Sequence, residues 1–217
     1  MIESKVYKGY KIEIEQDDYP DDPRNWDNLG TMVCVHKRYS LGDIDNRDEA
    51  IRIIDEIRYN GTVDGKEIIY LPLYLYDHSN IWMSADNSKY PFNDRWDSMF
   101  VGYIHVTIDR IRKEFGIKRI TKKVRDRVIR ILNNEVKIYS KYISGEVFRF
   151  QIMKDGEVID SCGGFYDYHE ALEEAKSVVD VHYKEQLEKR IEKIKGWIRK
   201  RVPLIYRKFD DSLEVVK

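Results

Sequence analysis

The chain has 217 residues, a length that suits one domain of mixed class or one domain with a helical appendage. Its 42% apolar content supports a packed core, and its net charge of −1 excludes an overall field that would attract nucleic acid or an anionic membrane. It has no apolar run of about 20 residues and no apolar signal segment after Met1, so we expect a cytoplasmic protein without a transmembrane span.

The first part of the chain predicts strands, an acidic loop and a helix. Apolar and charged residues alternate over residues 8–16, which indicates a half-buried strand. A turn-rich loop over 17–30 leads to a second strand over 31–36. Asn46 is typical of a helix N-cap, and Gly61 of the residue that ends a helix. The positions expected to face inward in this helix are Ile51, Ile54 and either Ile57 or Arg58.

The middle of the chain predicts three strands and two helices. Strands are expected over 68–76, 81–84 and 100–106, the first of them apolar on both faces up to its end. Helices are expected over 107–115 and 121–142. The apolar stripe predicted for the longer helix is Val124, Val128, Ile131, Ile138 and Tyr142.

The last part of the chain predicts a hairpin and a long helix. Strands over 147–153 and 157–162 flank Asp155-Gly156, a strong hairpin signal. A helix over 169–200 carries an apolar stripe along its whole length. Its members are Leu172, Ala175, Val179, Tyr183, Leu187, Ile191, Ile194 and Ile198.

The order of these elements shows no regular alternation of strands and helices. We therefore predict an α+β fold with a mainly antiparallel sheet, flanking helices and a long C-terminal helix. Residues 1–166 would form the core domain. Residues 167–217 would form the long helix and a tail, packed on the core or on a second copy of the chain.

Five carboxylates are concentrated in the loop before the second strand. Clustered carboxylate oxygens can hold Mg²⁺ or Ca²⁺, but their spacing here fits no defined ligand loop. Turn and cap chemistry in a solvated loop is the favoured interpretation. The residues are Asp17, Asp18, Asp21, Asp22 and Asp27.

Histidine and carboxylate side chains at strand ends could form a metal-assisted catalytic site. No ligand spacing or phosphate-binding loop supports this, so no catalytic residue or cofactor is assigned and the presence of a metal is left open. The candidate residues of this site are Asp27, His36, Asp77, His78 and Asp97.

Cys34 and Cys162 are too few for a disulfide scaffold, and both are predicted to be buried free thiols.

A basic run spans the start of the second long helix. Its side chains could contact phosphates, although acidic residues dilute it and no aromatic residues interleave with it for base stacking. A solvated helix face is the favoured alternative. The run consists of Lys118, Arg119, Lys122, Lys123, Arg125, Arg127 and Arg130.

Several stretches of the chain are long and distinctive. They are Asp27-Asn28-Leu29-Gly30-Thr31-Met32-Val33-Cys34 with His36, Tyr39, Leu41, Gly42 and Asp43; Tyr70-Leu71-Pro72-Leu73-Tyr74-Leu75-Tyr76-Asp77-His78-Ser79; Trp96-Asp97-Ser98 with Val101-Gly102; and Asp160-Ser161-Cys162. In these stretches the chain resembles a bacterial family, without an assigned activity, that is associated with prophages and other mobile elements. The resemblance implies an accessory role, such as blocking host restriction or CRISPR systems.

The charge distribution adds to this expectation. Residues 1–100 carry 12 Lys/Arg and 20 Asp/Glu, whereas residues 101–217 carry 26 and 19. We therefore predict an accessory protein that binds and inhibits a host defence protein or its nucleic acid, with the acidic half as a partial nucleic-acid mimic. A metal-assisted phosphodiesterase or nuclease is the alternative. Trp26, Asn28 and Trp96 complete the predicted binding set. The apolar outer turns of the long helix need a cover, which could be the tail folding back after Pro203 or a second copy of the chain, and the homodimer is the favoured alternative.

Overall fold

The computed structural model describes residues 3–85, 97–203 and 206. It has four α-helices and two antiparallel sheets, with 43% of residues in helices and 32% in strands, which confirms the predicted α+β class. Its contacts divide the chain into two compact units that interleave along the sequence. Unit 1 contains residues 1–15, 150–162 and 168–217, and unit 2 contains residues 16–149 and 163–167. The division predicted after residue 166 stays a prediction.

Unit 1 is built on a four-stranded sheet and the long C-terminal helix. The strand order is β1 (Glu3–Tyr7), β2 (Tyr10–Gln16), β8 (Phe148–Lys154) and β9 (Glu157–Phe165). The predicted hairpin is confirmed, because Asp155 and Gly156 both have positive φ angles, of 53° and 90°, as a type I′ turn requires. Helix α4 (Tyr168–Arg201) buries Ala171, Leu172, Ala175 and Val179.

Unit 2 is built on a five-stranded sheet with helices on both faces. The order is β3 (Thr31–Cys34), β7 (Ser98–Thr107), β5 (Lys66–Asp77) and β4 (Thr62–Val63), and β6 (Ile81–Ser84) also pairs with β5. Helix α1 (Arg47–Asn60) packs on one face of the sheet, where its buried residues form a hydrophobic cluster with Val33 of β3 and Ile68 of β5. Helices α2 (Ile108–Phe115) and α3 (Lys122–Ile143) contribute to the larger cluster around Leu71 and Ile104.

Local capping explains where the helices of unit 2 begin and end. The Asn46 side chain accepts hydrogen bonds from the N–H groups of Asp48 and Glu49, and Gly61 ends α1 in the left-handed conformation. Thr107 and Thr121 cap α2 and α3 in the same way. These ends agree with the predicted helices over 107–115 and 121–142.

Several predicted burial patterns were wrong in detail. Ile51 is 40% exposed, because the buried stripe of α1 follows the i, i+3, i+4, i+7 spacing of Ala50, Ile53, Ile54 and Ile57. Helix α3 buries Leu132, Val136 and Tyr139 beside Val128, whereas Ile131 and Ile138 are only half-buried. Strand β5 alternates, with Leu71, Leu73 and Leu75 buried and Tyr70 exposed.

The two cysteines also differ from each other. Cys34 is buried, as predicted, and its burial raises the pKa of the thiol. Cys162 is exposed, contrary to the prediction, because the side chains of β9 face solvent along most of the strand. Within the described ranges, no helix combines the length and the apolar character that a membrane span requires.

Candidate functional site

The acidic loop of unit 2 is anchored by a buried arginine that lies inside it. Arg24 is 5% exposed and donates from Nε and Nη2 to the two carboxylate oxygens of Asp43, both at 2.7 Å. Its Nη1 donates to Glu135 Oε2 at 3.3 Å, and Nη2 also donates to the Gly30 carbonyl at 2.8 Å. Burial acts to lower the pKa of Arg24, but the hydrogen bonds and charges of the two carboxylates outweigh it and raise that pKa. Arg24 is therefore a fully paired buried cation.

The same two carboxylates also hold the backbone where the loop enters β3. Glu135, on α3, accepts hydrogen bonds at Oε1 from the N–H groups of Leu29 at 2.8 Å and Gly30 at 3.2 Å. Asp43 Oδ2 accepts from the N–H of Met32 at 2.8 Å. The loop end is thus fixed to α3 and to residue 43 through charge-assisted hydrogen bonds, which are stronger than neutral ones.

Gly30 and Gly42 are required by close packing around this anchor. A Cβ atom at Gly30 would lie 2.5 Å from Leu132 Cδ2 and 2.8 Å from Ile104 Cγ1. Gly42 has a φ angle of +79°, and a Cβ there would lie 2.6 Å from the Met32 carbonyl oxygen. Close packing therefore explains why both positions are occupied by glycine.

Asn28 and two of the loop carboxylates stabilise the loop from within. The Asn28 amide donates to the carbonyls of Pro23 at 2.8 Å and Trp26 at 3.0 Å. Asp22 Oδ1 accepts from the Arg24 N–H at 2.8 Å and caps the short 3-10 helix Pro23–Asn25. Asp17 accepts from the N–H groups of Tyr19 at 3.1 Å and Gly164 at 3.0 Å. Turn and cap chemistry accounts for Asp17 and Asp22, as the sequence favoured.

Five other acidic or aromatic side chains of the loop face solvent. Tyr19 is 93% exposed and Trp26 is 47% exposed, with the Trp26 ring packed edge-on against Tyr166 at 5.7 Å between centroids. Burial, together with the negative charges of the loop carboxylates, raises the pKa of Tyr166 to about 12. The acidic loop surface, as we call it, consists of Asp18, Tyr19, Asp21, Trp26 and Asp27.

Four of the five groups predicted for a metal-assisted site come together at the C-terminal end of β5. His36 Nε2 lies 4.0 Å from Asp77 Oδ2, and His78 Nε2 lies 3.8 Å from Asp97 Oδ2. The Asp77 N–H donates to the Asp97 carbonyl at 2.7 Å and so links the two pairs. Asp27 instead lines a different cavity with Arg110 and Phe115, among others. Trp96, also predicted for the binding set, lies outside the described residues.

The hydrogen bonds of His36 limit what this cluster can do chemically. Its Nδ1 accepts from the Arg38 N–H at 3.2 Å, so the neutral ring carries its proton on Nε2, facing Asp77. Burial lowers the pKa of His36, which favours this neutral form. Asp77 in turn accepts from Arg38 and from the Tyr39 hydroxyl. Neither ring nitrogen of His36 has a free lone pair for a metal ion or for a substrate proton.

No cluster of three or more His, Cys, Asp or Glu side chains suited to a metal ion exists within residues 3–85 and 97–203. The candidate catalytic residues form two His–Asp pairs, His36 with Asp77 and His78 with Asp97.

The predicted basic run is exposed, but its members lie in different surroundings. Lys118, Arg119 and Arg125 line one concave surface, together with Arg112. Arg127 stacks over the ring of Phe115 at 4.9 Å. The other members of the run, Lys122, Lys123 and Arg130, are exposed on α3.

Sequence reasoning missed the anchor itself. Arg24 lies 19 positions from Asp43 and 111 positions from Glu135, and no spacing rule links residues so far apart. The one signal in the sequence was that Asp43 belongs to the distinctive stretches named in the sequence analysis. Comparisons with family models, with curated proteins and with solved structures find no match to this chain.

Proposed function

We propose that this chain is a mobile-element accessory protein that binds a host defence protein of the restriction or CRISPR type, and inhibits it through the acidic loop surface. The observation that carries the proposal is the contrast within one loop. Its backbone is held by the buried Arg24 anchor, while three carboxylates and two aromatic rings remain exposed. The family resemblance, based on the sequence, supplies the biological setting.

A surface of this kind suits the cationic face of a nucleic-acid-binding protein. The carboxylates of the loop would occupy the positions of phosphates on that cationic face. Such charge complementarity speeds the association of the two proteins and fixes their relative orientation. Tyr19 and Trp26 provide aromatic area, and aromatic residues are enriched among the side chains that dominate binding energy. Because the loop is already ordered, binding would lose less conformational entropy than a flexible acidic segment would.

The direct test is a plasmid-borne copy of the gene in bacteria that carry single, defined restriction or CRISPR systems. The measurement is the efficiency of plaque formation by a phage that each system restricts. We expect at least one system to be inhibited, and expect the variant Asp18→Asn/Asp21→Asn/Asp27→Asn to lose that inhibition. Activity of the purified defence nuclease on DNA, with and without the protein, provides the second measurement.

The matched control removes three exposed carboxylates from another part of unit 2. Asp48→Asn/Asp55→Asn/Asp109→Asn changes the net charge by the same amount and should inhibit as well as the unmodified chain does. Equal loss of inhibition in both variants would show that overall charge, and not the acidic loop surface, is responsible. Full restriction by every system in the presence of the unmodified chain would reject the proposal.

A metal-assisted phosphodiesterase is kept as the second candidate because His36, Asp77, His78 and Asp97 gather at one end of β5. Its test is incubation of the chain with labelled DNA, RNA and cyclic nucleotides in the presence of Mg²⁺ or Mn²⁺. Turnover that Asp77→Asn abolishes would support it. Absence of turnover together with an unchanged melting temperature on adding metal would reject it.

A further inference from the structure

A concave basic surface lies in unit 2 between the end of α2, the start of α3 and β5. We call it the basic cleft. Four cationic side chains line it, and the single carboxylate in its lining is Glu67. The cleft is lined by Glu67, Ile108, Arg112, Lys118, Arg119, Ile120 and Arg125.

Three of the four cations of the basic cleft have no charged partner in the part of the chain that the structure describes. Lys118, Arg119 and Arg125 are exposed, and their side chains form no hydrogen bond or ion pair with any residue that the structure describes. Arg112 does have a partner, Asp109, at 3.1 Å. Residues 108–130 contain ten Lys/Arg and three Asp/Glu, so the segment carries a charge of +7 although the whole chain carries −1. Such a local field attracts anions even when the overall charge does not.

The lining indicates which part of an anionic ligand would be recognised. Arginine and lysine donors bind phosphate oxygens, and arginine does so with two parallel hydrogen bonds. None of the described residues that line the cleft is aromatic, and the nearby Phe115 is covered by Arg127 at 4.9 Å. Proteins that hold single strands stack bases on aromatic side chains, so this surface lacks the means to retain unpaired bases.

We propose that the basic cleft binds the backbone phosphates of duplex nucleic acid without reading its sequence. Contacts to phosphates position a protein on a duplex and carry no sequence information. The proposal is independent of the acidic loop surface, which uses other residues and opposite charge. Either one can fail while the other holds.

The test is binding of the full chain to a fluorescently labelled duplex of about 20 base pairs, measured by anisotropy between about 50 and 200 mM salt. We expect saturable binding that weakens with salt and is the same for unrelated sequences. Lys118→Gln/Arg119→Gln/Arg125→Gln should weaken binding at least about tenfold at the lowest salt. It should also make the slope of log K against log salt shallower by roughly 3, since each lost phosphate contact contributes about 0.9.

The matched control removes three positive charges from elsewhere in unit 2. Arg52→Gln/Arg58→Gln/Lys66→Gln should change affinity less than about threefold, because the charges it removes lie outside the cleft. A variant is informative only if its circular dichroism spectrum is unchanged. If the triple variant misfolds, the single variant Arg119→Gln is measured in its place. Equal weakening by the control, tighter binding of a single strand, or no duplex binding at the lowest salt would each overturn the proposal.

Discussion

Two sets of cationic side chains in unit 2 have opposite surroundings. Arg24 is 5% exposed and pairs with Asp43 and Glu135, whereas Lys118, Arg119 and Arg125 are exposed and pair with no described residue. A buried, paired charge cannot be removed without leaving its partners uncompensated, but an exposed, unpaired charge leaves only solvent behind. Arg24 therefore supports the fold, and the three exposed cations are available for binding.

The strongest way to test this contrast is to remove Arg24. Arg24→Met leaves the Glu135 and Asp43 carboxylates buried or half-buried without their cation, which we expect to lower the free energy of unfolding by about 3 to 5 kcal/mol. Urea unfolding followed by circular dichroism measures this loss. Arg119→Met is the matched control and should change the free energy of unfolding by less than about 0.5 kcal/mol. Similar losses in the two variants would contradict the contrast.

A buried histidine without a carboxylate partner extends the comparison to pH. His105 donates from Nδ1 to the Thr31 carbonyl at 3.3 Å, and its buried Nε2 has no hydrogen-bond partner among the described residues. Burial lowers the pKa of His105 to about 4, below the value of 6.5 expected when unfolded. As the pH falls, His105 therefore takes up a proton in the unfolded chain before it does so in the folded chain. The contribution of the neutral, buried His105 to stability is complete above pH 6.5 and is lost as the pH falls towards 4.

The size of this pH effect follows from the pKa difference. It corresponds to about 3 kcal/mol across the whole window, at about 1.36 kcal/mol per pKa unit. In His105→Gln, whose amide can still donate to Thr31, the free energy of unfolding should fall less on acidification than in the unmodified chain. Urea unfolding at several pH values measures this difference, and identical pH profiles for the His105 variant and the unmodified chain would contradict the prediction.

Glycine substitutions distinguish packed from open positions. Gly30→Ala places a methyl group 2.5 Å from Leu132 Cδ2, so repacking should cost about 1 to 3 kcal/mol of unfolding free energy. Gly196→Ala in α4 meets nothing within 4 Å and replaces a helix-interior glycine, so it should stabilise by up to about 1 kcal/mol. Thermal unfolding gives the signs directly. A neutral or stabilising Gly30→Ala would show that the loop end is not held as tightly as its contacts indicate.

Substitutions in the outer half of α4, which we define as residues 180–201, should change the free energy of unfolding least. No residue of α4 after Val179 is buried. Ile194 is 50% exposed and Trp197 is 53% exposed. The predicted homodimer through this half stays a prediction.

Light scattering at tens of micromolar tests the dimer. The unmodified chain should be a dimer, and Ile191→Glu should be a monomer with an unchanged circular dichroism spectrum, because a charge in an apolar interface is costly. Glu188→Gln, at an exposed position of the same helix, serves as the control and should remain dimeric. A monomeric unmodified chain would reject the dimer.

The sequence alone determined the features that depend on near neighbours. The caps at Asn46, Thr107 and Thr121 and the turn at Asp155-Gly156 involve groups within a few residues of each other, so local patterns located the helices and the hairpin. The α+β class followed from the order of those elements. Predictions failed where burial depended on what each face packs against, as with Ile51 and Cys162.

Only the tertiary structure decided what the charged residues do. Arg24 and Lys118 are equally cationic in the sequence, and the difference between them comes from carboxylates that chain folding brings to one and not to the other. The same holds for the loop carboxylates, since backbone N–H groups engage Asp17 and Asp22 and leave Asp18, Asp21 and Asp27 exposed. Electrostatic energies depend on distance and burial, and residues far apart in sequence acquire both only when the chain has folded.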